Sequence, residues 1–428
     1  MGMKILMVNV VCGIRSTGRI CTDLAYALKQ SGNEVKIAYG RKQAPAEFQD
    51  MSIRVGNGID NLSHAALSRL FDAQGYGSVR ATKKFIKWVE EYNPDIIHLH
   101  NIHGYYLNIT LLFDFLKKRN KPVVWTLHDM WAFTGHAAFC VGVPCFRYIE
   151  GCFDCPRKKA YPESLLDRSE LNWRRKRNLI RSLTKLNVVV PSYWLADITK
   201  KSFLGIYPIH VIHNGVDTKN FKPVKHDIRK KYGIKKEKIA LGVAAIWDER
   251  KGLMDLVELS QKLDEEYQFI VVGLTNRQME SLPSNIIGIQ HTNSVQELAE
   301  LYSAADVFVN PTYVDNYPTT NIEAIACGTP VITYDTGGSG ESASKFGCVV
   351  KRGDKEEMKK AIKEYAGKKL ESGDPMMYDV SVNRTIEQYL ALYSSLIRGG
   401  GGKRTIFLII IGRGVSGGLH RFSGGAEA

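Results

Sequence analysis

The sequence contains no long hydrophobic run, and its longest uninterrupted apolar stretch is the six residues from Ile406 to Ile411. A membrane-spanning helix needs about 20 apolar residues, so none is predicted. The first residues, Met1 to Val11, are apolar but lack a basic leader and a small-residue cleavage pattern, which favours a first strand over a signal peptide. We therefore expect a cytoplasmic protein.

The chain also lacks internal repeats at the period of a solenoid, and its composition is that of an ordinary globular protein. Hydrophobic residues make up 44% and charged residues 24%, which excludes a largely disordered or fibrous chain. A length of 428 residues favours two compact domains over one core. The net charge of +14 indicates partners with negative charge, namely nucleoside diphosphates, anionic lipid or nucleic acid. Nucleic acid is disfavoured because no helix-turn-helix, zinc finger or aromatic single-strand platform is present.

Short apolar runs alternate with stretches long enough for crossover helices, which predicts α/β domains with doubly wound parallel sheets. The runs lie at 4–11, 34–38, 96–100, 123–127 and 188–191, then at 240–245, 269–272, 307–310 and 331–334. We predict a first domain at 1–210 and a second at 211–383, with a hinge in the turn-rich segment 208–217. The amphipathic helix 384–398 is expected to pack back on the first domain, and the Gly-rich tail 399–428 to be disordered or non-native.

The most informative stretch is 310–332, which combines a strand, an acid in a loop, a helix start, a second acid and a Gly-Thr-Pro turn. Backbone N–H groups at that helix start would form an anion site, strengthened by the helix dipole; they belong to Thr319, Thr320 and Asn321. Glu323 could accept hydrogen bonds from ribose hydroxyls, and Asp315 from those of a sugar. The alternative is structural, with Thr319 as a helix cap and Glu323 as a solvated helix acid.

Two acids separated by seven residues and followed by Ala-Ile-Ala-Cys-Gly-Thr-Pro-Val resemble the paired-acid donor motif of retaining GT-B glycosyltransferases, the large family that includes sucrose synthases and bacterial mannosyltransferases. The resemblance covers roughly Met3 to Ile397. Further matching segments lie at 191–195, 211–217, 250–252, 303–306 and 388–393. Within the family, residues 125–136 and the cysteine-rich loop after them resemble exopolysaccharide transferases of the colanic-acid type. The resemblance implies a GT-B fold, in which two Rossmann-like domains face an interdomain cleft.

The resemblance also implies roles for individual residues of the donor site. Asp315 matches the acid that holds the donor sugar, although this position is usually Glu, and Glu323 matches the acid that binds the ribose. Lys251 matches the lysine that neutralises the donor diphosphate. The family's arginine a few residues earlier has no match, because residues 245–246 are Ala-Ile, and Arg250 is the candidate substitute.

On the first domain, His128 matches the family histidine that faces the donor sugar across the cleft. The structural alternative is a hydrogen-bonded imidazole at a strand end, and the adjacent Asp129 favours function. The loop 13–18 resembles the glycine-bearing loop that approaches the diphosphate, although it has Ser16-Thr17-Gly18 where a Gly-Gly pair is common. Gly18 is accordingly placed among the donor-binding residues.

A His-x-His-Asn-x-His pattern is formed by His98, His100 and His103. A metal site, acceptor recognition and plain structural hydrogen bonding are the three interpretations, and the absence of an acidic neighbour at fixed spacing disfavours the metal. We assign His100, His103 and Asp129 to the acceptor side. The family does not generally require a catalytic metal, so no cofactor is expected for catalysis.

A cluster of four cysteines lies within sixteen residues, at Cys140, Cys145, Cys152 and Cys155. Four thiolates could close a structural zinc site that pins this loop, and reduced thiols are the alternative. Disulfides are disfavoured by the expected compartment.

The segment 157–185 carries ten basic residues against three acidic ones. Leu179, Ile180, Leu183 and Leu186 fall on one helical face, so the segment could be a basic amphipathic helix that lies on an anionic membrane. The alternative is a first-domain helix with a solvated basic face.

Together these features predict a retaining hexosyltransferase that moves a sugar from a nucleoside-diphosphate sugar to a lipid-linked or growing oligosaccharide in exopolysaccharide or lipopolysaccharide biosynthesis. Lys251, Arg250 and the helix-start N–H groups would stabilise the departing diphosphate without a metal. The expected location is the cytoplasmic face of a membrane, with peripheral contact to anionic lipid and no nucleic acid partner. The rivals are a sugar-nucleotide epimerase or hydrolase on the same architecture and a catalytically impaired relative.

Overall fold

The computed structural model describes residues 2–140, 145–371 and 375–397, and the Gly-rich tail lies outside them. Two parallel sheets organise the chain. The first half contains β1 (Lys4–Asn9), α1 (Arg15–Gln30), β2 (Glu34–Tyr39), a 3-10 helix (Ala46–Met51), β3 (Ser52–Arg54), α2 (Gly58–Phe71), α3 (Val79–Tyr92), β4 (Ile96–Leu99), α4 (Ile109–Arg119), β5 (Val123–Thr126), α5 (Ser169–Ile180), β6 (Leu186–Val190), α6 (Tyr193–Lys201) and β7 (Ile209–Val211).

The second half contains α7 (Ile228–Lys231), β8 (Lys238–Val243), α8 (Leu253–Lys262), β9 (Tyr267–Val272), α9 (Asn276–Glu280), β10 (Ile286–Ile289), α10 (Val295–Ala304), β11 (Val307–Asn310), α11 (Thr319–Ala326), β12 (Val331–Tyr334), α12 (Ser339–Ala343), β13 (Gly347–Val350), α13 (Lys355–Tyr365), a second 3-10 helix (Pro375–Val380) and α14 (Val382–Ile397). The described helices include none long and apolar enough to cross a membrane.

The first sheet has seven strands in the order β3-β2-β1-β4-β5-β6-β7, and the second has six in the order β10-β9-β8-β11-β12-β13. Central strands such as β4 and β5 are buried along their whole length, because helices cover both faces of a parallel sheet. The strand order reverses at β1 in the first sheet and at β8 in the second. Ligands of such sheets bind beyond the carboxyl ends of the strands at these reversals, which places the candidate site in the loops after β1, β4, β5, β8 and β11.

The last helix, α14, returns to the first sheet. The hydroxyl of Tyr389 lies 2.8 Å from Thr126 Oγ1, and the hydroxyl of Tyr393 lies 2.6 Å from His98 Nδ1. The domain boundary expected after residue 210 falls inside β7, which pairs with β6, so the first sheet extends to Val211. The chain therefore crosses between the halves after β7 and again before α14.

The amphipathic segment 157–185 is helical only over α5, and its apolar face points into the protein. Ile180, Leu183 and Leu186 are 1%, 6% and 2% exposed and belong to the core of the first half. The interpretation of this face as a membrane contact is therefore wrong, because the core of the first half already buries it. The solvated basic helix is the alternative that the structure supports.

Candidate functional site

The loops that follow β5 and β11 meet across the cleft between the two sheets. Ser192 Oγ donates to Asn316 Oδ1 over 2.8 Å, and Asn316 Nδ2 donates to the carbonyl of Leu127 over 3.5 Å. Leu127 precedes His128, and Asn316 follows Asp315. These bonds bring the histidine and the first acid predicted from the sequence to the same cleft.

Lys251 and Asp315 form an ion pair within this cleft. Lys251 Nζ lies 2.5 Å from Asp315 Oδ2, and the two side chains are 23% and 21% exposed. Gly252 lets the two loops approach each other, because its φ is +73° and a Cβ there would lie 2.2 Å from the carbonyl oxygen of Pro311. A lysine and an acid predicted for neighbouring parts of the donor thus form an ion pair in the cleft.

Glu323 lies in α11 and is 3% exposed. The hydroxyl of Tyr302 donates to its Oε2 over 3.0 Å, and Arg19 Nη2 lies 3.4 Å from its Oε1. Burial raises the pKa of Glu323, and the Arg19 charge and the Tyr302 hydroxyl offset part of that rise. The second acid is therefore buried but partnered by a cation from the other half of the chain, which argues against a solvated helix acid.

Arg19 is the residue of this site that the sequence analysis missed. It follows Gly18 in α1, where the carbonyl of Gly18 accepts a hydrogen bond from the N–H of Gly13 over 3.3 Å and closes the loop. Gly18 is itself buried, and a Cβ there would lie 3.1 Å from Val11. The loop at the end of β1 thus places the Arg19 side chain beside Glu323. The one feature of the sequence that could have indicated this role is the position of Arg19 directly after Thr17-Gly18.

The start of α11 is the helix start that the sequence analysis predicts as an anion site. Pro318 precedes Thr319, and no side chain caps the helix, so Thr319 is not the cap. The N–H groups of Thr319 and Thr320 stand in the first turn, where a helix offers them no internal acceptor.

Asn321, which the sequence analysis places among the donor-binding N–H groups, makes its hydrogen bonds within the protein. Its N–H donates to the carbonyl of Pro318 over 3.2 Å, and its side chain is wholly buried. The side-chain oxygen accepts from Asn310 over 2.8 Å, and the side-chain nitrogen donates to Ser342 over 2.8 Å. Asn321 therefore fastens α11 to β11 and α12.

Arg250 does not join the Lys251–Asp315 pair. Its Nη2 and Nε lie 2.7 and 3.1 Å from Asp248 Oδ2, and its guanidinium lies 5.4 Å from the ring centre of Phe139. The carboxylate of Asp248, two residues earlier, thus binds the guanidinium of Arg250, because the short loop between them brings the two groups together. The structure puts Arg19, and not Arg250, beside an acid that the sequence analysis predicts for the donor site.

Three histidines lie in a row at the cleft, with His98 and His100 buried and His128 partly exposed. His128 Nε2 lies 3.0 Å from His100 Nδ1, and the rings of His100 and His98 are 4.0 Å apart between centres. Burial lowers the pKa of His128 to about 4, although Asp129 acts in the opposite direction. Burial also lowers the pKa of His100, and the neighbouring His98 and His128 lower it further. Both rings are neutral at neutral pH, so one donates an N–H and the other accepts it.

His103 and Asp129, which the sequence analysis assigns to the acceptor side, contact each other. His103 Nε2 lies 2.9 Å from Asp129 Oδ2, and His103 Nδ1 lies 3.1 Å from the hydroxyl of Tyr161. Burial alone would raise the pKa of Asp129, but His103, the N–H of Trp131 and His128 together outweigh it, so the pKa is lowered and the carboxylate stays ionised. A cavity of about 10 Å³ is lined by this pair together with His100 and His128. The structure thus gathers four of the five first-domain residues predicted for the site, and Gly18 lies in the first turn of α1.

Within residues 2–140, 145–371 and 375–397, no three His, Cys, Asp or Glu side chains are arranged so that they could hold a metal ion. His98 instead contacts Thr126 and Tyr393 through its two ring nitrogens. The four clustered cysteines are free thiols, and burial raises the pKa of Cys152 to about 11. Residues 141–144 of their loop lie outside the description, and the structural zinc site stays a prediction.

Two family models match the chain. One, described as Glycosyltransferase Family 4, matches residues 17–220, and the other, Glycosyl transferases group 1, matches residues 237–367. The chain is 27% identical over 359 residues to WcaC of Escherichia coli (strain K12), named for colanic acid biosynthesis, covering 81% of this chain and 86% of WcaC. It is 28% identical over 142 residues to the N,N'-diacetylbacillosaminyl-diphospho-undecaprenol alpha-1,3-N-acetylgalactosaminyltransferase of Campylobacter jejuni, covering 30% of this chain and 37% of that enzyme.

Solved structures show the same fold. Sucrose-phosphate synthase from Thermosynechococcus elongatus superimposes with a TM-score of 0.68 at 20% identity, covering 92% of this chain and 99% of the other. Anabaena HepE in complex with UDP superimposes with a TM-score of 0.64 at 16% identity, covering 92% and 100%. The chain therefore has a GT-B fold, in which residues 17–220 match the Glycosyltransferase Family 4 model and residues 237–367 match the Glycosyl transferases group 1 model.

Proposed function

We propose that this protein is a retaining hexosyltransferase that uses a nucleoside-diphosphate sugar and extends a lipid-linked oligosaccharide in surface polysaccharide biosynthesis. The observation that carries the proposal is the pairing of two cations with two acids in one cleft, Lys251 with Asp315 and Arg19 with Glu323. The names of WcaC and of the Campylobacter enzyme support a polysaccharide product and a lipid diphosphate acceptor.

The two ion pairs suit a site that exchanges partners when the donor binds. A diphosphate carries more charge than a carboxylate and offers several acceptor oxygens, so it competes for both cations. Lys251 and Arg19 then contact the diphosphate, while Glu323 accepts from ribose hydroxyls and Asp315 from the sugar. Without a donor, each acid keeps its cation ready in the cleft.

The same groups would stabilise the departing nucleoside diphosphate. Positive charge from Lys251 and Arg19, together with the N–H groups of Thr319 and Thr320, lies where negative charge grows as the glycosidic bond to phosphate breaks. Asp315 is paired with Lys251, and its proposed role is to bind the sugar and not to attack it. The acceptor hydroxyl therefore attacks the anomeric carbon from the leaving-group side. Its proton passes to the departing phosphate oxygen, and configuration is retained.

The first domain would hold the sugar and the acceptor. His128, neutral at neutral pH, can donate to or accept from a sugar hydroxyl without adding charge near the anomeric centre. His103 and the ionised Asp129 offer a polar pair for an acceptor hydroxyl. A net charge of +14 suits an acceptor that carries a diphosphate and lies at the cytoplasmic face of a membrane.

The test is product analysis with purified protein, a panel of nucleotide sugars and polyprenyl-diphosphate-linked acceptors. We expect transfer that depends on the acceptor and a product whose anomeric configuration, measured by NMR, equals that of the donor. Lys251→Ala and Glu323→Gln should lose most activity, whereas Lys262→Ala, an exposed lysine of α8, should keep it. Sugar release or epimerisation without an acceptor would favour the rival enzymes, and no turnover with tight donor binding would favour an impaired relative.

A further inference from the structure

Helix α2 turns its apolar side to solvent and its polar side to the protein. Only His64 and Ser68 of this helix are buried. An ordinary surface helix does the reverse, since burial of the apolar face is what stabilises it. The exposed apolar side chains are Ile59 (80%), Leu62 (73%), Leu67 (44%), Leu70 (45%) and Phe71 (41%).

The inverted orientation of α2 is fixed by hydrogen bonds. His64 Nε2 accepts from the N–H groups of Gly75 and Gly77 over 3.1 and 3.2 Å, and its Nδ1 lies 2.9 Å from Ser78 Oγ. At the first turn, Asn57 and Asp60 form a capping box. Rotation of the helix to bury its leucines would break these bonds, so the apolar face is a built feature of the surface.

The exposed apolar surface continues beyond α2. Leu165 and Leu166 are 58% and 46% exposed, and the N–H of Leu165 donates to the carbonyl of Arg69 over 2.7 Å, beside the last turn of the helix. Single exposed leucines are common on proteins, whereas a contiguous apolar patch marks an interaction surface.

Cations flank this surface at both ends. A cavity of about 420 Å³ opens at the first turn of α2 and is lined by Arg54, Arg80 and Lys84 over the rings of Phe85 and Trp88. Within the described part of the chain, none of these three cations has an ion-pair partner, and the nearby Asp60 is engaged in the capping box. At the other end, the Arg168 guanidinium lies 5.7 Å from the ring centre of Phe71.

We propose that α2 and its flanking cations form a docking surface for an anionic membrane. The apolar side chains of α2 enter the boundary between headgroups and acyl chains, and Arg54, Arg80 and Lys84 contact lipid phosphates. A second copy of the chain fits less well, because a two-fold contact would bring the unpaired cations of both copies together. The biological role of this docking surface rests on the proposed function, since a protein bound to the membrane can reach a lipid-linked acceptor.

The first arm of the test is flotation of the purified full chain with vesicles of phosphatidylcholine alone and with one quarter phosphatidylglycerol. We expect binding to the anionic vesicles and a loss of at least about tenfold in partition coefficient for Ile59→Ser with Leu62→Ser. Both positions are exposed, so folding is preserved. The matched control is Ile206→Ser with Met254→Ser, which are 56% and 71% exposed on other surfaces and should bind like the wild type.

The second arm removes charge. Replacement of Arg54, Arg80 and Lys84 by glutamine should weaken binding to anionic vesicles by about fivefold for each charge, which corresponds to about 1 kcal/mol. The control replaces the same amount of charge in the second half of the chain by Lys219→Gln, Lys222→Gln and Lys225→Gln. A surface attraction that depends only on net charge would weaken both triple variants equally.

Three outcomes would overturn the proposal: no binding of the wild type to anionic vesicles, equal effects of the test and control variants, or a dimer in light scattering that the Ile59 and Leu62 changes dissociate without affecting vesicle binding. Nucleotide-sugar binding is measured in the same variants by calorimetry. Lost vesicle binding with intact donor binding separates the surface from the active site, and vesicle binding without any donor binding would refute the proposed function while leaving the surface in place.

Discussion

The replacement Arg19→Gln tests whether the first domain supplies a cation to the donor diphosphate. It keeps a polar but shorter side chain and removes one positive charge 3.4 Å from the Glu323 carboxylate. A hydrogen bond to a charged group contributes about 1.5–3 kcal/mol, and each 1.4 kcal/mol is a factor of ten in affinity. The Arg19 side chain is 42% exposed, so water screens part of this contribution and the lower end applies.

We therefore expect nucleoside diphosphates to bind about tenfold more weakly to Arg19→Gln in isothermal titration calorimetry. Nucleosides without phosphate should bind equally to both proteins, and the wild-type affinity should depend more steeply on salt. The free energy of unfolding should fall by about 1–3 kcal/mol, because the buried Glu323 carboxylate loses its cation.

Lys29→Gln is the matched control for Arg19→Gln, because it removes the same charge from the exposed last turn of the same helix. The reasoning is refuted if Arg19→Gln binds nucleoside diphosphates within twofold of the wild type, or if Lys29→Gln weakens binding by the same factor. The second result would mean that only the net charge of α1 matters.

Three further outcomes are expected. Burial lowers the pKa of His64 from 6.5 to about 4, so the unfolded chain takes up protons first and the free energy of unfolding falls as the pH decreases from 6.5 to 4. His64→Gln should remove about 3 kcal/mol of that fall in urea titrations at several pH values, and an unchanged pH dependence would contradict this assignment. Asp72 and His136 are buried 2.6 Å apart, so Asp72→Ala should reduce the free energy of unfolding by about 3–5 kcal/mol, measured by urea denaturation. Ser192→Ala leaves the side-chain oxygen of Asn316 without its donor and should cost about 1–3 kcal/mol, and a smaller change would show that the cleft opens in solution.

The architecture could be predicted from the sequence because buried parallel strands consist of continuous runs of apolar residues. Residues 96–99 and 123–126 are buried along both faces, and hydrophobicity marks them directly. The edge strand β3 has only three partly exposed or exposed residues and leaves no such mark. Periodicity also fails for α2, where the hydrogen bonds of His64 outweigh the tendency of the leucines to be buried.

Site residues could be predicted from the sequence where they belong to a local motif. Asp315 and Glu323 sit around a helix start, and Lys251 precedes a glycine that the loop requires. Arg19 was not accessible, because its partner is 304 positions away along the chain and only the approach of the two halves brings them together. The contacts of Arg250 with Asp248 and of Asn321 with Ser342 could not be predicted from the sequence either, because they follow from the fold of the loops.

The most direct test of the central claim is calorimetric titration of the wild type, Lys251→Ala and Glu323→Ala with UDP-, GDP-, ADP- and dTDP-sugars. The account predicts that one nucleotide class binds the wild type and that each variant weakens it by about tenfold or more, while both variants keep the wild-type circular dichroism spectrum. Binding that is unchanged in both folded variants would contradict the donor site described here. Failure of every nucleotide sugar to bind the folded wild type would contradict the proposed transferase.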